Sequence, residues 1–161
     1  MITIEQLADL PLMHRATIGE EHLDDMGHMN VRWYIALYDA AAWQLFASIG
    51  MDGAYFTAAQ AGAFALKQFV QYLAEVRVGE TVAIRSRLLG RSARRVHVLH
   101  CMHNETTGAL ASTMEVLAAH ADLTIRRTSP FPPHIAAVLD ERIAEHQRLA
   151  WDVPLSGAIR P

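Results

Sequence analysis

The sequence predicts an α+β domain in which a long antiparallel sheet wraps around one central hydrophobic helix, with a further helix at the C-terminal end. Three observations lead there. Residues 31–49 form an Ala-rich, proline-free run that stops at Gly50, and its polar residues Arg32, Asp39, Gln44 and Ser48 do not gather on one broad face. Four later segments, 64–78, 81–89, 95–103 and 109–125, are rich in Val, Leu, Ile, Phe and Thr and are separated by turn-like stretches. Residues 134–149 then place Ile135, Val138, Leu139, Ile143 and Leu149 at helical spacing, as expected of an amphipathic surface helix.

Taken in chain order, residues 13–21 alternate β-type and polar side chains and predict a first strand. Asn30 is placed to cap the following helix, because its side chain can accept from the first free backbone amides. A helix apolar nearly all round must be enclosed by protein. The short connections "VGE", "GRS" and "NETTG" favour an antiparallel meander, since parallel strands need long crossovers. "SPFPP" ends the sheet, and the tail "WDVPLSGAIRP" reads as an arm or loosely held end. One domain over 1–161 is expected, with its core at about 13–128 and the C-terminal helix and tail at 132–161.

Composition narrows the function classes. Of 161 residues 52% are apolar and 19% charged, which excludes a disordered chain, and a net charge of −3 gives no reason to expect nucleic acid. Residues 31–50 approach the length of a membrane span, but Arg32, Asp39 and Gln44 interrupt them at high cost in a bilayer, so no membrane role is expected. The single cysteine, Cys101, suits a reducing cytoplasm, and the acidic start "MITIEQLADL" lacks a signal-peptide pattern.

The most chemically dense stretch is "HLDDMGHMN", residues 22–30, directly before the apolar helix. Read plainly, it is a polar capping loop with acidic side chains near a positive dipole end. With the "VRWY" that follows, it also resembles the Asp-x-x-Gly-His-x-Asn-(Asn)-x-x-Tyr signature of hotdog-fold acyl-CoA thioesterases of the 4-hydroxybenzoyl-CoA thioesterase-like group. The matching positions are Asp24, Gly27, His28, Asn30 and Tyr34; Val31 stands where the family often has a second Asn. The segments "QYLAEVRVGETVAIRSRLLG" and "HADLTIRRTSPFPP" resemble the family's later strands, so the likeness covers roughly residues 13–149. It implies the hotdog fold, an acyl-CoA substrate, no cofactor beyond the coenzyme A of that substrate, and a homodimer or homotetramer with active sites between subunits.

The chemistry agrees with that resemblance. A thioester releases a thiolate whose pKa is about 8.5 by analogy with cysteine, so departure needs little acid assistance. One carboxylate and a few backbone donors then suffice. Asp24 can act as general base on water, or attack the carbonyl itself to give a mixed anhydride. Amides after Gly27, at the helix entrance, form the expected oxyanion hole. Gly27 leaves room for the thioester, and His28 and Asn30 orient the loop or the water. Asp25, on the opposite side of an extended loop, is expected to face solvent or a subunit contact.

Other candidates carry less. His97, His100 and His103 cannot meet at one metal ion on a strand, so no metal site is expected. Cys101 reads as a packed thiol, and Ser112 and Thr113 lack a Gly-x-Ser-x-Gly frame. Arg91, Arg94 and Arg95, and then Arg126 and Arg127, are candidates for the phosphates of coenzyme A, against a plain reading as solvated turns and ion pairs. Trp33, Tyr34, Trp43 and Phe64 are core or interface by default. A finer resemblance of residues 88–108 and 111–123 points to the betainyl-CoA thioesterase branch, where aromatic faces would attract a trimethylammonium acyl group. Two rivals stand beside hydrolysis: a dehydratase or hydratase on a similar fold, and a non-catalytic acyl-CoA binding protein.

Overall fold

The structure is a computed structural model that describes residues 2–161. A short helix α1 (Ile4–Ala8) leads into β1 (Leu12–Thr17), a 3-10 turn (Glu20–His22) and the long helix α2 (Val31–Ser48). Helix α3 (Gly53–Ala59) precedes β2 (Ala61–Tyr72), β3 (Thr81–Arg91), β4 (Arg95–Asn104), β5 (Ala109–Asp122), the short β6 (Arg127–Thr128) and α4 (Pro133–Gln147). The sheet runs β1-β3-β4-β5-β2, antiparallel throughout, with β6 paired to β5. β3, β4 and β5 form the expected meander, but β2 crosses to the far side of β5 and becomes a long edge.

One stripe of α2, Tyr34, Leu37, Tyr38, Ala41 and Leu45, is buried at i, i+3, i+4, i+7 and i+11 against Val82, Ile84, Val98, Met114 and Val116 of the sheet. The opposite face of the sheet is also dry. There Leu99 and Cys101 pack under Leu7 and Leu10 of the N-terminal segment and Trp151 of the tail. β1 stops opposing β3 at Arg85, and α4 takes over the exposed edge: the Leu88 amide donates to His146 Nδ1 at 2.9 Å.

Three expectations about these elements need correction. The first strand ends at Thr17 rather than 21, because the Ile18 amide turns to the Glu80 carbonyl and residues 20–22 wind into the 3-10 turn. β2 begins at Ala61 and ends at Tyr72, beyond which the Leu73 and Ala74 amides both turn to the Ala111 carbonyl. Helix α2 is not enclosed within one chain: Arg32, Asp39, Trp43 and Gln44 lie exposed on its outer flank. Apolar composition marks surface that seeks cover without saying whose surface supplies it.

The tail is not loose. The buried Arg87 guanidinium donates to the carbonyls of His146, Leu149 and Trp151 and lies 4.3 Å over the Trp151 ring. A cation at the end of α4 also complements its dipole. The Glu115 carboxylate accepts from His97 Nε2 at 2.8 Å and from the Ser156 amide at 2.7 Å. These charged strand residues are the anchors that hold the chain's last segment.

The core carries a pH liability. His100 is fully buried under α2, its Nδ1 2.7 Å from the Ser86 hydroxyl, and burial pushes its pKa from 6.5 down to about 4. The unfolded chain takes up a proton with ordinary affinity while the folded chain resists it, so stability is intact above pH 6.5 and drains away as pH falls toward about 4. Urea unfolding at pH 5 should give about 2 kcal/mol less stability than at pH 7 from this group alone. His100→Asn should flatten that dependence; an unchanged slope would place the proton uptake elsewhere.

Candidate active site at the entrance of the long helix

The 22–30 stretch folds into a small hairpin closed by an antiparallel bridge between Leu23 and Met29. The Asp24 amide donates to the His28 carbonyl at 3.0 Å, and the Gly27 amide returns to the Asp24 carbonyl at 3.0 Å. The Asp24 side chain supports its own turn, Oδ1 accepting from the Met26 amide at 2.8 Å. Gly27 sits at φ +83°, a conformation that other residues adopt only with strain, so the turn itself requires glycine there. The space where its Cβ would lie is open.

The hairpin is bolted to the domain on both flanks. The Met29 amide donates to Val76 O at 2.7 Å and the Asn30 amide to His22 O at 2.9 Å. Asn30 Oδ1 accepts from the Arg32 amide at 3.1 Å and caps α2, as its sequence position suggests. Two of the amides expected in an oxyanion hole are therefore already engaged. Among the described residues, those of His28 and Val31 have no acceptor; Val31 is the first residue of α2, at its positive end, and His28 lies in the hairpin two residues before the cap. Asp24 Oδ2 lies 3.5 Å from His28 Nδ1, with the Asp24 side chain 19% exposed. The carboxylate is thus largely covered and held at the helix mouth, while Asp25 faces solvent.

The aromatic candidates divide. Tyr34 is core: its hydroxyl donates to Ala74 O at 3.4 Å, its ring meets Tyr72 edge-on, and burial pushes the phenol up to about 12. Trp33 packs on His22 and carries the Arg32 guanidinium 5.5 Å above its ring. Trp43 and Phe64, by contrast, line a recess between α2 and the first half of β2 together with Tyr38, Asp39 and His100. Sequence reasoning passed over Asp39 in that role. The available signal was its place one turn before Trp43, on the same helix face.

The arginines also divide. Arg91 is engaged by a forked ion pair with Asp140, at 2.7 and 2.5 Å. Arg94, Arg95, Arg126 and Arg127 are exposed, and among the described residues their side chains make no ion pair. Their location was not legible. The His120 amide donates to Arg94 O and Arg127 pairs with Asp122, which places them at the Asp122 end of β5, whereas the 22–30 hairpin sits by Ala111 at its start. Ten residues of extended strand separate those ends by about 33 Å. One chain does not bring Asp24 and these arginines together. Of the strand histidines, His97 is paired to Glu115 and His100 to Ser86. Burial pushes the Cys101 thiol up to about 12, consistent with a packed, unreactive group.

A curled antiparallel sheet holding one long helix, with a polar hairpin at that helix's N-terminus, defines the hotdog architecture. Residues 18–139 match the Thioesterase-like superfamily, and the chain belongs to that family. It is 32% identical over 141 residues to an Agrobacterium fabrum L-carnitine dehydrogenase/betainyl-CoA thioesterase, covering 87% of this chain but only 29% of the relative's length. It is 28% identical over 129 residues to a Pseudomonas aeruginosa betainyl-CoA thioesterase, covering 80% of this chain and 81% of that one. Among solved structures, a Staphylococcus aureus hypothetical protein in complex with CoA superposes with a TM-score of 0.84 at 22% identity, covering 94% of this chain and 96% of that one.

Proposed function

We propose that the protein hydrolyses a short acyl-CoA thioester to the free acid and CoA, with Asp24 as the acidic catalytic group and no cofactor outside the substrate. Asp24 takes a proton from water as the water oxygen attacks the carbonyl carbon, or attacks that carbon itself to form an anhydride that water then opens. The His28 and Val31 amides stabilise the oxygen that gains charge; the C–S bond then breaks and the thiolate leaves. The observation that carries this reading is the Asp24–Asn30 hairpin, which holds a largely covered carboxylate just ahead of a helix whose first amide, that of Val31, is unengaged, as is the His28 amide within the hairpin. His28, 3.5 Å from Asp24, orients the carboxylate.

The finer substrate assignment is a betainyl group, supported by the names of the Agrobacterium and Pseudomonas relatives. A homodimer completes the site. β2 is a twelve-residue edge strand with Phe64, Leu66, Phe69 and Tyr72 all exposed, a surface that a lone chain would leave open to self-association. Two copies of β2 across a two-fold axis run antiparallel, setting the Tyr72 end of one chain, beside its hairpin, against the arginine-bearing end of the other. Arg94, Arg95, Arg126 and Arg127 then hold the phosphates of a CoA whose thioester lies at the other subunit's Asp24. No helix among the described residues is long and apolar enough to cross a membrane; the reading places the enzyme in the cytoplasm, with neither membrane nor nucleic acid as partner.

The test is continuous thiol release from a panel of short acyl-CoA esters. Release from at least one ester, with the acyl part recovered as its free acid, is the expected result. Recovery of intact thioester with water added to or lost from the acyl chain would replace this reading with a hydratase or dehydratase.

A further inference from the structure

We infer that the recess between α2 and β2 is an acyl-selectivity pocket that recognises a short acyl group ending in a quaternary ammonium, with Asp39, Trp43 and Phe64 as its selecting residues. The inference rests on the thioesterase reading and deepens it. The cavity volume is about 90 Å³, room for a short acyl group rather than a long chain.

Its walls specify more than size. Ala63, Val98, Met114 and Ala118 supply apolar surface. Trp43 is 51% and Phe64 45% exposed, so both offer ring surface to an incoming group. Trp43 is braced by an edge-on contact with Phe56 at 5.5 Å, which fixes the orientation of its indole. At the rim stands the exposed Asp39 carboxylate, which among the described residues makes no hydrogen bond and no ion pair.

An unpaired carboxylate beside aromatic faces and methyl-lined walls complements a cation clad in methyl groups, which needs attraction to charge and ring quadrupole and donates no hydrogen bonds. A plain alkyl chain would leave Asp39 without a partner, and an acidic acyl group would be repelled by it. The Trp33 ring, by contrast, already carries the Arg32 guanidinium. The recess also opens at the β2 edge, beside which the proposed two-fold pairing brings the partner's hairpin. A short acyl group seated here therefore keeps its thioester within reach of that second subunit's Asp24.

The deciding experiment compares trimethylammonioacetyl-CoA with 3,3-dimethylbutanoyl-CoA, which have the same shape and differ by a nitrogen cation in place of a carbon. Wild type should favour the cationic ester by at least about tenfold in kcat/KM. Asp39→Asn should reduce that ratio toward unity. Trp43→Phe should keep most of it and Trp43→Leu should lose it, a contrast that a purely structural role for Trp43 would not produce. Equal turnover of the two esters by wild type, or a preference that survives Asp39→Asn, overturns the inference while leaving hydrolysis in place. If neither ester nor any other acyl-CoA is hydrolysed, the thioesterase reading fails by itself. Quenching of tryptophan fluorescence by the two esters then reads the recess directly: tighter binding of the cationic ester, lost in Asp39→Asn, supports the inference, and equal binding overturns it.

Discussion

Asp24→Asn should lower thiol release by about three orders of magnitude, within the range that a positioned proton acceptor contributes, while leaving the unfolding midpoint almost unchanged. The substitution is informative because the two jobs of this side chain separate. Its Oδ1 accepts from the Met26 amide, and an asparagine oxygen accepts that bond equally well, so the turn persists. What asparagine lacks is a basic oxygen for the water proton and a nucleophilic one for the carbonyl. Binding of a CoA ester should survive in the variant. Full activity in Asp24→Asn would remove the carboxylate from the mechanism, and ester binding without thiol release in the wild type would make the chain a binding protein. Single-turnover hydrolysis in heavy-oxygen water detects an anhydride that water opens at the Asp24 carbonyl, since that route alone leaves the label in the Asp24 carboxyl group. His28→Ala should lose much less, about tenfold, because the His28 side chain acts only through Asp24 and its backbone amide is retained.

Local periodicity made α2, α4 and the β3–β5 meander legible, and the composition of residues 22–30 marked a polar loop at the head of α2, though not that it closes as a hairpin. What escaped was set by non-local pairing or by very short elements. α1 and α3 span 5 and 7 residues, too few turns for a periodic stripe to emerge. For α3 a signal was present: Asp52 caps the Tyr55 amide at 2.8 Å just before Gly53. The displacement of β2 to the far side of β5 leaves no local trace, since a strand's composition does not name its neighbour. The anchored tail was hidden for a related reason, because Arg87 and Glu115 read as ordinary polar strand residues until the fold sets residues 146–156 against them. The open flank of α2 is the most instructive difference. Its apolar composition correctly indicated cover, but the cover within one chain is partial, and Asp39 and Trp43 are left facing the space where substrate and partner are proposed to meet.

Mixing two variants that are each nearly silent at low ester concentration should restore about one quarter of wild-type activity, if subunits reassort statistically and each site draws on both chains. One variant is Asp24→Asn. The other replaces Arg94, Arg95 and Arg127 with Ala, and by itself should raise KM for the CoA ester more than it lowers kcat, the pattern of lost substrate binding. These exposed side chains lie about 33 Å along the sheet from the hairpin of their own chain, so a CoA ester bound at Asp24 meets them only through a neighbour. In a mixed dimer, one site combines both lesions, while the other combines an intact Asp24 with intact arginines. Half of a statistical population is mixed, and half of the sites in each mixed dimer work, which gives the quarter. Were Asp24 and the arginines to serve one site within a single chain, each site in every dimer would carry a lesion, and mixing would recover nothing. Assayed at an ester concentration well below the variant's KM, the two arrangements therefore give opposite answers, and the result assigns the nucleotide-binding end of each site to one subunit or to its partner.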